Sequence, residues 1–124
     1  VHDTSDALGN FALAVPQGAL KIEFDTTSVL TAVLAPRQTS ATVSGPTNLG
    51  DIVHPPGFVL SAFVKRQSNN APVVGADIDV VDALTGELLY TPSDSTDAIG
   101  FVDTLVPAGV FDVRFDAPSG SGLV

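Results

Sequence analysis

The segment 94–116 reads DSTDAIGFVDTLVPAGVFDVRFD, and it holds the pattern that decides the fold of this chain. Its last six residues, FDVRFD (111–116), alternate apolar and charged side chains. Alternation at every second residue predicts a β-strand with one buried face and one wet face. The stretch Pro107–Gly109 in front of it is a turn signal, and FVDTLV (101–106) before that turn is a second predicted strand.

The same pattern occurs near the start of the chain, where residues 3–25 read DTSDALGNFALAVPQGALKIEFD. A shift of 91 positions places the two segments on each other without a gap. Nine of the 23 paired positions are identical, whereas unrelated segments of average composition share about one or two. The identities fall mostly on turn residues and buried strand positions, so the sequence predicts a duplicated structural unit of about 91 residues.

The phase of this repeat predicts how the chain is divided. Residues 1–54 are expected to be the C-terminal half of one β-sandwich repeat, and residues 55–124 the N-terminal and middle strands of the next. The segment His54–Gly57 contains two prolines and is expected to form a stiff junction. Two partial sandwiches would leave strand edges and apolar faces open, so we expect strands to be completed within one chain or between neighbouring chains.

The rest of the chain has the same β character, because its 11 Gly and 9 Pro interrupt it too often for long helices. Short alternating or apolar stretches separated by turn signals predict an all-β, antiparallel Greek-key β-sandwich of immunoglobulin-like or transthyretin-like type. LKIEFD (20–25) has the clearest alternation outside segment 94–116. Further strands are predicted at Phe11–Val15, Ser40–Ser44, Asp51–His54, Phe58–Lys65, Ala76–Val81 and Leu88–Thr91.

The composition excludes several classes of partner and site. Fourteen acidic residues against five basic ones give a net charge of −9, which argues against binding to nucleic acid or to an anionic membrane. The chain has no cysteine, so zinc ribbons, disulfides and thiol nucleophiles are excluded. Its apolar stretches are far shorter than the roughly 20 residues of a membrane helix. We expect the chain to associate with itself or with neighbouring repeats.

A family resemblance covers nearly the whole chain. Four motifs carry it in residues 57–118: PVVGADIDV (72–80), the Thr85–Gly86 turn, TDAIG (96–100) and VPAGVFDVRF (106–115). This region resembles the carboxypeptidase regulatory-like domain, a transthyretin-like (prealbumin-like, Cna-B-like) β-sandwich. Residues 6–54 resemble the second half of another copy, which ends in TNLGDIVH (47–54).

The resemblance implies a fold and a setting, because its motifs are turns and core positions. It implies a module of a secreted or cell-surface bacterial protein, and members of this family are usually not catalytic. The expected function is therefore a structural one, in which repeats build an extracellular stalk or fibre. The alternative is an accessory module that binds a carbohydrate or peptide for a secreted hydrolase. The lack of tryptophan and the single Tyr90 count against a carbohydrate-stacking surface.

The candidate metal ligands are four aspartates in the repeated turn: Asp3, Asp6, Asp94 and Asp97. Carboxylates two or three residues apart on a turn can converge on Ca²⁺, which prefers oxygen ligands. Aspartates in turns also commonly accept hydrogen bonds from their own backbone, and the spacing here does not match an EF-hand loop. Calcium is the one cofactor that the sequence suggests, and the turn-capping alternative stays open.

No catalytic residues are predicted. His2 and His54 each lie near a turn or terminus, and neither belongs to a nucleophile–base pattern. A Lys–Asn isopeptide cross-link between Lys65 and Asn48 is a further hypothesis, although no acidic residue can be placed beside them from the sequence. The sequence thus predicts a protein that is not an enzyme.

Overall fold

The structure is a computed structural model, and it describes residues 1–26 and 33–124. These residues form an all-β arrangement without a helix, which confirms the predicted class. In the same residues no helix has the length and apolar character needed to cross a membrane. The six strands are β1 (Gly18–Phe24), β2 (Arg37–Val43), β3 (Phe58–Phe63), β4 (Asp77–Asp82), β5 (Phe101–Val106) and β6 (Phe111–Asp116).

Three of the predicted strands do not form as strands. Among the described residues, Phe11–Val15 and Asp51–His54 are irregular segments, and Leu88–Thr91 is reduced to one bridge between Leu88 and Val81. Each of these segments has a side-chain pattern typical of a strand. A strand, however, also needs a neighbour that hydrogen-bonds to its backbone, and a pattern within the segment does not provide one.

The strands pair in three two-stranded sheets, β1–β2, β3–β5 and β4–β6. The β3–β5 pair is antiparallel and runs from Phe58 opposite Val106 to Phe63 opposite Phe101. The β4–β6 pair is also antiparallel, with Val80 opposite Val113 at its centre. Each strand therefore lies at the edge of its sheet within the part of the chain that the structure describes.

Contacts divide the chain into two compact units, which we call unit 1 (Val1–Ile22 with Thr39–Ile52) and unit 2 (Glu23–Gln38 with Val53–Val124). Unit 2 is sandwich-like, because β3–β5 and β4–β6 turn their apolar faces toward one core. The buried residues of that core are Ile78, Val80, Val102 and Val106, and the half-buried ones are Leu60, Ala62, Leu89, Phe111 and Val113. The Greek-key connection and the division of the chain between residues 54 and 55 stay predictions.

Unit 1 contains a turn at residues 6–10 and most of the β1–β2 sheet. None of its residues is buried: its side chains are half-buried or exposed throughout. Leu8 is 87% exposed, and Phe11 and Val15 are more than a third exposed. An isolated two-stranded sheet without a buried core is marginally stable in water.

Candidate functional site

The aspartate turn of unit 2 is closed by the carboxylate of Asp97. Its Oδ1 accepts the N–H groups of Ile99 at 2.9 Å and Phe101 at 3.0 Å. Two backbone bonds complete the turn, from Asp97 N to Phe101 O at 2.9 Å and from Gly100 N to Asp97 O at 3.0 Å. Gly100 has φ of +76°, a left-handed conformation that favours glycine. The turn therefore needs an acceptor at its first position and a glycine at its fourth.

The aspartate turn of unit 1 has the same bonds, 91 residues earlier. Asp6 Oδ1 accepts the N–H groups of Leu8 at 2.8 Å and Asn10 at 2.9 Å. Asp6 N donates to Asn10 O at 2.9 Å, and Gly9 N donates to Asp6 O at 3.0 Å. Gly9 has φ of +85°. All four bonds of the Asp97 turn thus have a counterpart at the position expected from the sequence alignment.

The carboxylate of Asp6 is held in its charged form by this geometry. The backbone N–H of Asn10 and, next, that of Leu8 lower the pKa of Asp6 below its ordinary value of 3.8. Hydrogen bonds to a carboxylate favour its ionised state. The negative charge of Asp6 therefore strengthens the hydrogen bonds that close the turn.

The other two predicted metal ligands also have local partners. Asp3 Oδ2 accepts the N–H of Ala12 at 3.2 Å, and Asp94 Oδ2 accepts the hydroxyl of Thr91 at 2.6 Å. Among residues 1–26 and 33–124 the structure brings no three acidic or histidine side chains together in a group that could hold a metal ion. The contacts agree with the turn-capping alternative, and calcium binding stays a prediction.

The histidines have structural surroundings. His54 is half-buried, its Nδ1 lies 2.8 Å from the carbonyl oxygen of Ala35, and its ring meets that of Phe24 edge-on with centroids 6.2 Å apart. His2 is exposed. The two residues of the isopeptide hypothesis have other contacts. Asn48 Oδ1 accepts the N–H of Gly50 at 2.8 Å, which closes a local turn. Lys65 is exposed, and its backbone forms a bridge with Pro72.

Two polar contacts of unit 2 are not evident from the sequence. The buried hydroxyl of Thr96 donates to Val73 O at 2.6 Å and accepts the N–H of Ala76 at 2.8 Å, so it ties the loop before β4 to the aspartate turn. The hydroxyl of Tyr90 donates to Asp25 Oδ1 at 2.7 Å. Burial, followed by this hydrogen bond, raises the pKa of Tyr90 above its ordinary value of 10.0. The only signal for Thr96 is its place in the TDAIG motif.

A shallow cavity of about 310 Å³ lies on unit 2. Its lining combines apolar Val59 and Leu105, which are paired across β3 and β5, with the carboxylates of Asp25 and Asp103. A groove on unit 1 is lined by residues 19–21 of β1 and 40–42 of β2. Two carboxylates therefore line the cavity of unit 2, and both β1 and β2 contribute to the groove of unit 1.

Comparisons of the chain with models of protein families, with curated proteins and with solved structures found no match.

Proposed function

We propose that this chain is a non-catalytic structural module that builds an extracellular stalk or fibre from β-sandwich repeats, with strand edges completed by neighbouring repeats. The observation that carries the proposal is the duplicated aspartate turn. Turns at Asp6 and Asp97 have the same four hydrogen bonds at the same 91-residue spacing as the sequence repeat. A shared geometry at a fixed spacing supports a duplicated unit, which is how stalks and arrays are built.

The open sheets of both units support the association part of the proposal. In the described residues each strand has only one strand neighbour, although bridges from Leu88 and Ser95 occupy part of the outer edge of β4. An unpaired edge is a template for another strand. The wet face of β3 also carries large apolar side chains, since Val59 is 66% exposed and Phe63 is 61% exposed. Phe63 and Phe101 lie side by side there, with ring centroids 5.0 Å apart. A neighbouring repeat would cover such a surface.

The extracellular bacterial setting in this proposal comes from the family resemblance of residues 57–118. The net charge of −9 fits that setting, because it keeps exposed sandwich surfaces soluble while they are not assembled.

Light scattering of the purified chain across a wide concentration range tests the proposed function. We expect the mean mass to grow with concentration, because edge pairing is bimolecular. A mass equal to one chain at every concentration would contradict assembly between chains. A parallel series with a chelator tests calcium at the same time, since assembly held by Ca²⁺ would be lost in the chelator and assembly held by strands alone would not.

A second candidate function is an accessory module that binds a peptide, and the cavity of unit 2 is the observation that favours it. Apolar walls beside two carboxylates suit the alkyl stem and charged end of a lysine side chain. Titration with N-acetyl-lysine amide, followed by NMR, should shift the amide signals of Asp103 and Leu105, and N-acetyl-norleucine amide should not. Equal shifts with both compounds would contradict a site that selects the charge.

A further inference from the structure

Strands β1 and β6 are counterparts in the repeat. The shift of 91 residues that matches the two aspartate turns places β1 (Gly18–Phe24) on residues 109–115, which include most of β6. The first inward positions also agree: Leu20 and Ile22 of β1 are half-buried, as are Phe111 and Val113 of β6. The two strands are therefore two copies of one sheet position, with the same inward face.

The two copies differ in their neighbours. β1 pairs with β2, whereas β6 pairs with β4. A strand has two edges, so one strand of this type can hold a β4-type neighbour on one edge and a β2-type neighbour on the other. In the part of the chain that the structure describes, β6 uses one edge only.

We propose that the edge of β6 remote from β4 binds strand β2 (Arg37–Val43) of a second copy of this chain, which gives a sheet ordered β4–β6–β2 across two chains. This inference rests on the proposed function, and it names the two strands that join one copy to the next. In the joined state β6 of one copy takes the place that β1 holds on the neighbour's β2. Exchange of equivalent elements between copies requires little free energy. Here β6 of one copy replaces β1 of the other, and the two strands resemble each other.

The charges of the two strands allow this pairing. β2 has the sequence RQTSATV, which contains no acidic residue, while β6 carries Asp112 and Asp116. Like charges directly opposite each other destabilise a strand pair, and β2 brings none against these aspartates.

The groove on unit 1 indicates which segments of β1 and β2 are neighbours, since residues 19–21 and 40–42 line it together. For the new pair we assign an antiparallel alignment equivalent to one in which Lys21 lies opposite Ser40. The same shift of 91 places residues 110–112 beside residues 40–42 of the second copy. Lys21 and Ser40 are both exposed, and so is Asp112, the counterpart of Lys21. Side chains at these three positions can therefore be replaced without disturbing a core.

Cysteine cross-linking tests the proposal directly, because the chain has no cysteine of its own. Ser40→Cys and Asp112→Cys are made in two separate chains that carry tags of different size, mixed, and oxidised gently. We expect a mixed disulfide dimer on a non-reducing gel. Ser40→Cys mixed with Asp103→Cys is the matched control, because Asp103 is equally an exposed strand aspartate but lies on β5. The pair Thr42→Cys and Val110→Cys repeats the test at a second exposed position.

The outcomes separate this inference from the proposed function. At least a fivefold excess of the 40–112 or 42–110 dimer over the 40–103 dimer supports the β2–β6 pairing. Equal yields for all pairs, with association still visible by light scattering, overturn the pairing and leave the proposed function standing. A single-chain mass at every concentration contradicts the proposed function itself. At a dilution where light scattering gives the mass of a single chain, Lys21→Cys with Ser40→Cys in one chain should form an internal disulfide, and its failure there would overturn the alignment on which the test depends.

Discussion

At the scale of single residues, two buried threonines of unit 2 have opposite roles. Thr96 is 4% exposed, and its hydroxyl satisfies two backbone groups. Thr104 is 8% exposed and faces the core beside Leu60, and its hydroxyl has no hydrogen-bond partner in the described residues. A buried hydroxyl stabilises a fold only where it is paired, since its loss of water must be compensated.

The substitutions Thr96→Val and Thr104→Val make the same atomic change with opposite expected results. Thr96→Val leaves the carbonyl of Val73 and the N–H of Ala76 unpaired, so it should lower the free energy of unfolding by about 2–3 kcal/mol. Thr104→Val removes an unpaired hydroxyl and should raise the free energy of unfolding by about 1 kcal/mol. Urea unfolding followed by circular dichroism measures both. A loss of stability in Thr104→Val would mean that the hydroxyl has a partner after all.

Asp82 predicts a dependence of local stability on pH. Its Oδ1 accepts the N–H groups of Leu84 and Thr85. The bond from Thr85 has the largest effect and that from Leu84 the next, and both lower the pKa of Asp82 below its ordinary value of 3.8. A lowered native pKa means that the stabilisation is present above pH 3.8 and is lost as the pH falls through the native pKa. Hydrogen exchange of the Leu84 amide should therefore accelerate in acid beyond the intrinsic change in rate. Asp82→Asn should not show this acceleration, and the same acceleration in that variant would assign the effect to another group.

At the scale of elements, the two aspartate turns share their bonds but not their surroundings. At Gly100 an added Cβ would lie 2.5 Å from the carbonyl oxygen of Val64, whereas at Gly9 it would meet no described residue within 4 Å. Both glycines have positive φ. The turn in unit 2 is thus packed against the strand region after β3, and the turn in unit 1 has open space beside its glycine.

Alanine at these two positions should separate the cost of conformation from the cost of packing. Gly9→Ala carries the conformational cost alone, about 1 kcal/mol. Gly100→Ala adds a backbone clash and should lower the free energy of unfolding by more than about 3 kcal/mol. Thermal and urea unfolding of the two variants measure the difference. Equal losses would show that the turn of unit 2 can move away from Val64 without cost.

At the scale of the whole molecule, charge opposes assembly. Each copy carries a net charge of −9, so copies repel one another before any strands meet. This repulsion is long-range and is screened by salt, whereas strand pairing and apolar contact act at short range. In the proposed assembly, the charge would therefore set the solution conditions and the strand edges would set the geometry.

Assembly should accordingly strengthen with ionic strength. Between about 0.01 M and about 1 M salt the Debye length falls from about 30 Å to about 3 Å, which removes most of the repulsion between copies. We expect the mean mass from light scattering to rise with NaCl at constant protein concentration. Asp112→Asn with Asp116→Asn should associate more strongly at low salt and respond less to added NaCl. Dissociation by salt would instead indicate that ion pairs hold the copies together.

The local features of this protein are determined by its sequence. Alternation in FDVRFD and LKIEFD predicts β6 and β1, and the repeated aspartate and glycine predict turns at both copies, because side-chain period and glycine conformation act over a few residues. Only the tertiary structure decided which candidate strands form. Phe11–Val15 has a strand pattern and is not a strand in the described residues, while the aligned segment 91 residues later, within β5, pairs with β3. The physical reason is that a strand exists through hydrogen bonds to a partner distant in the chain, and only the folded arrangement supplies that partner.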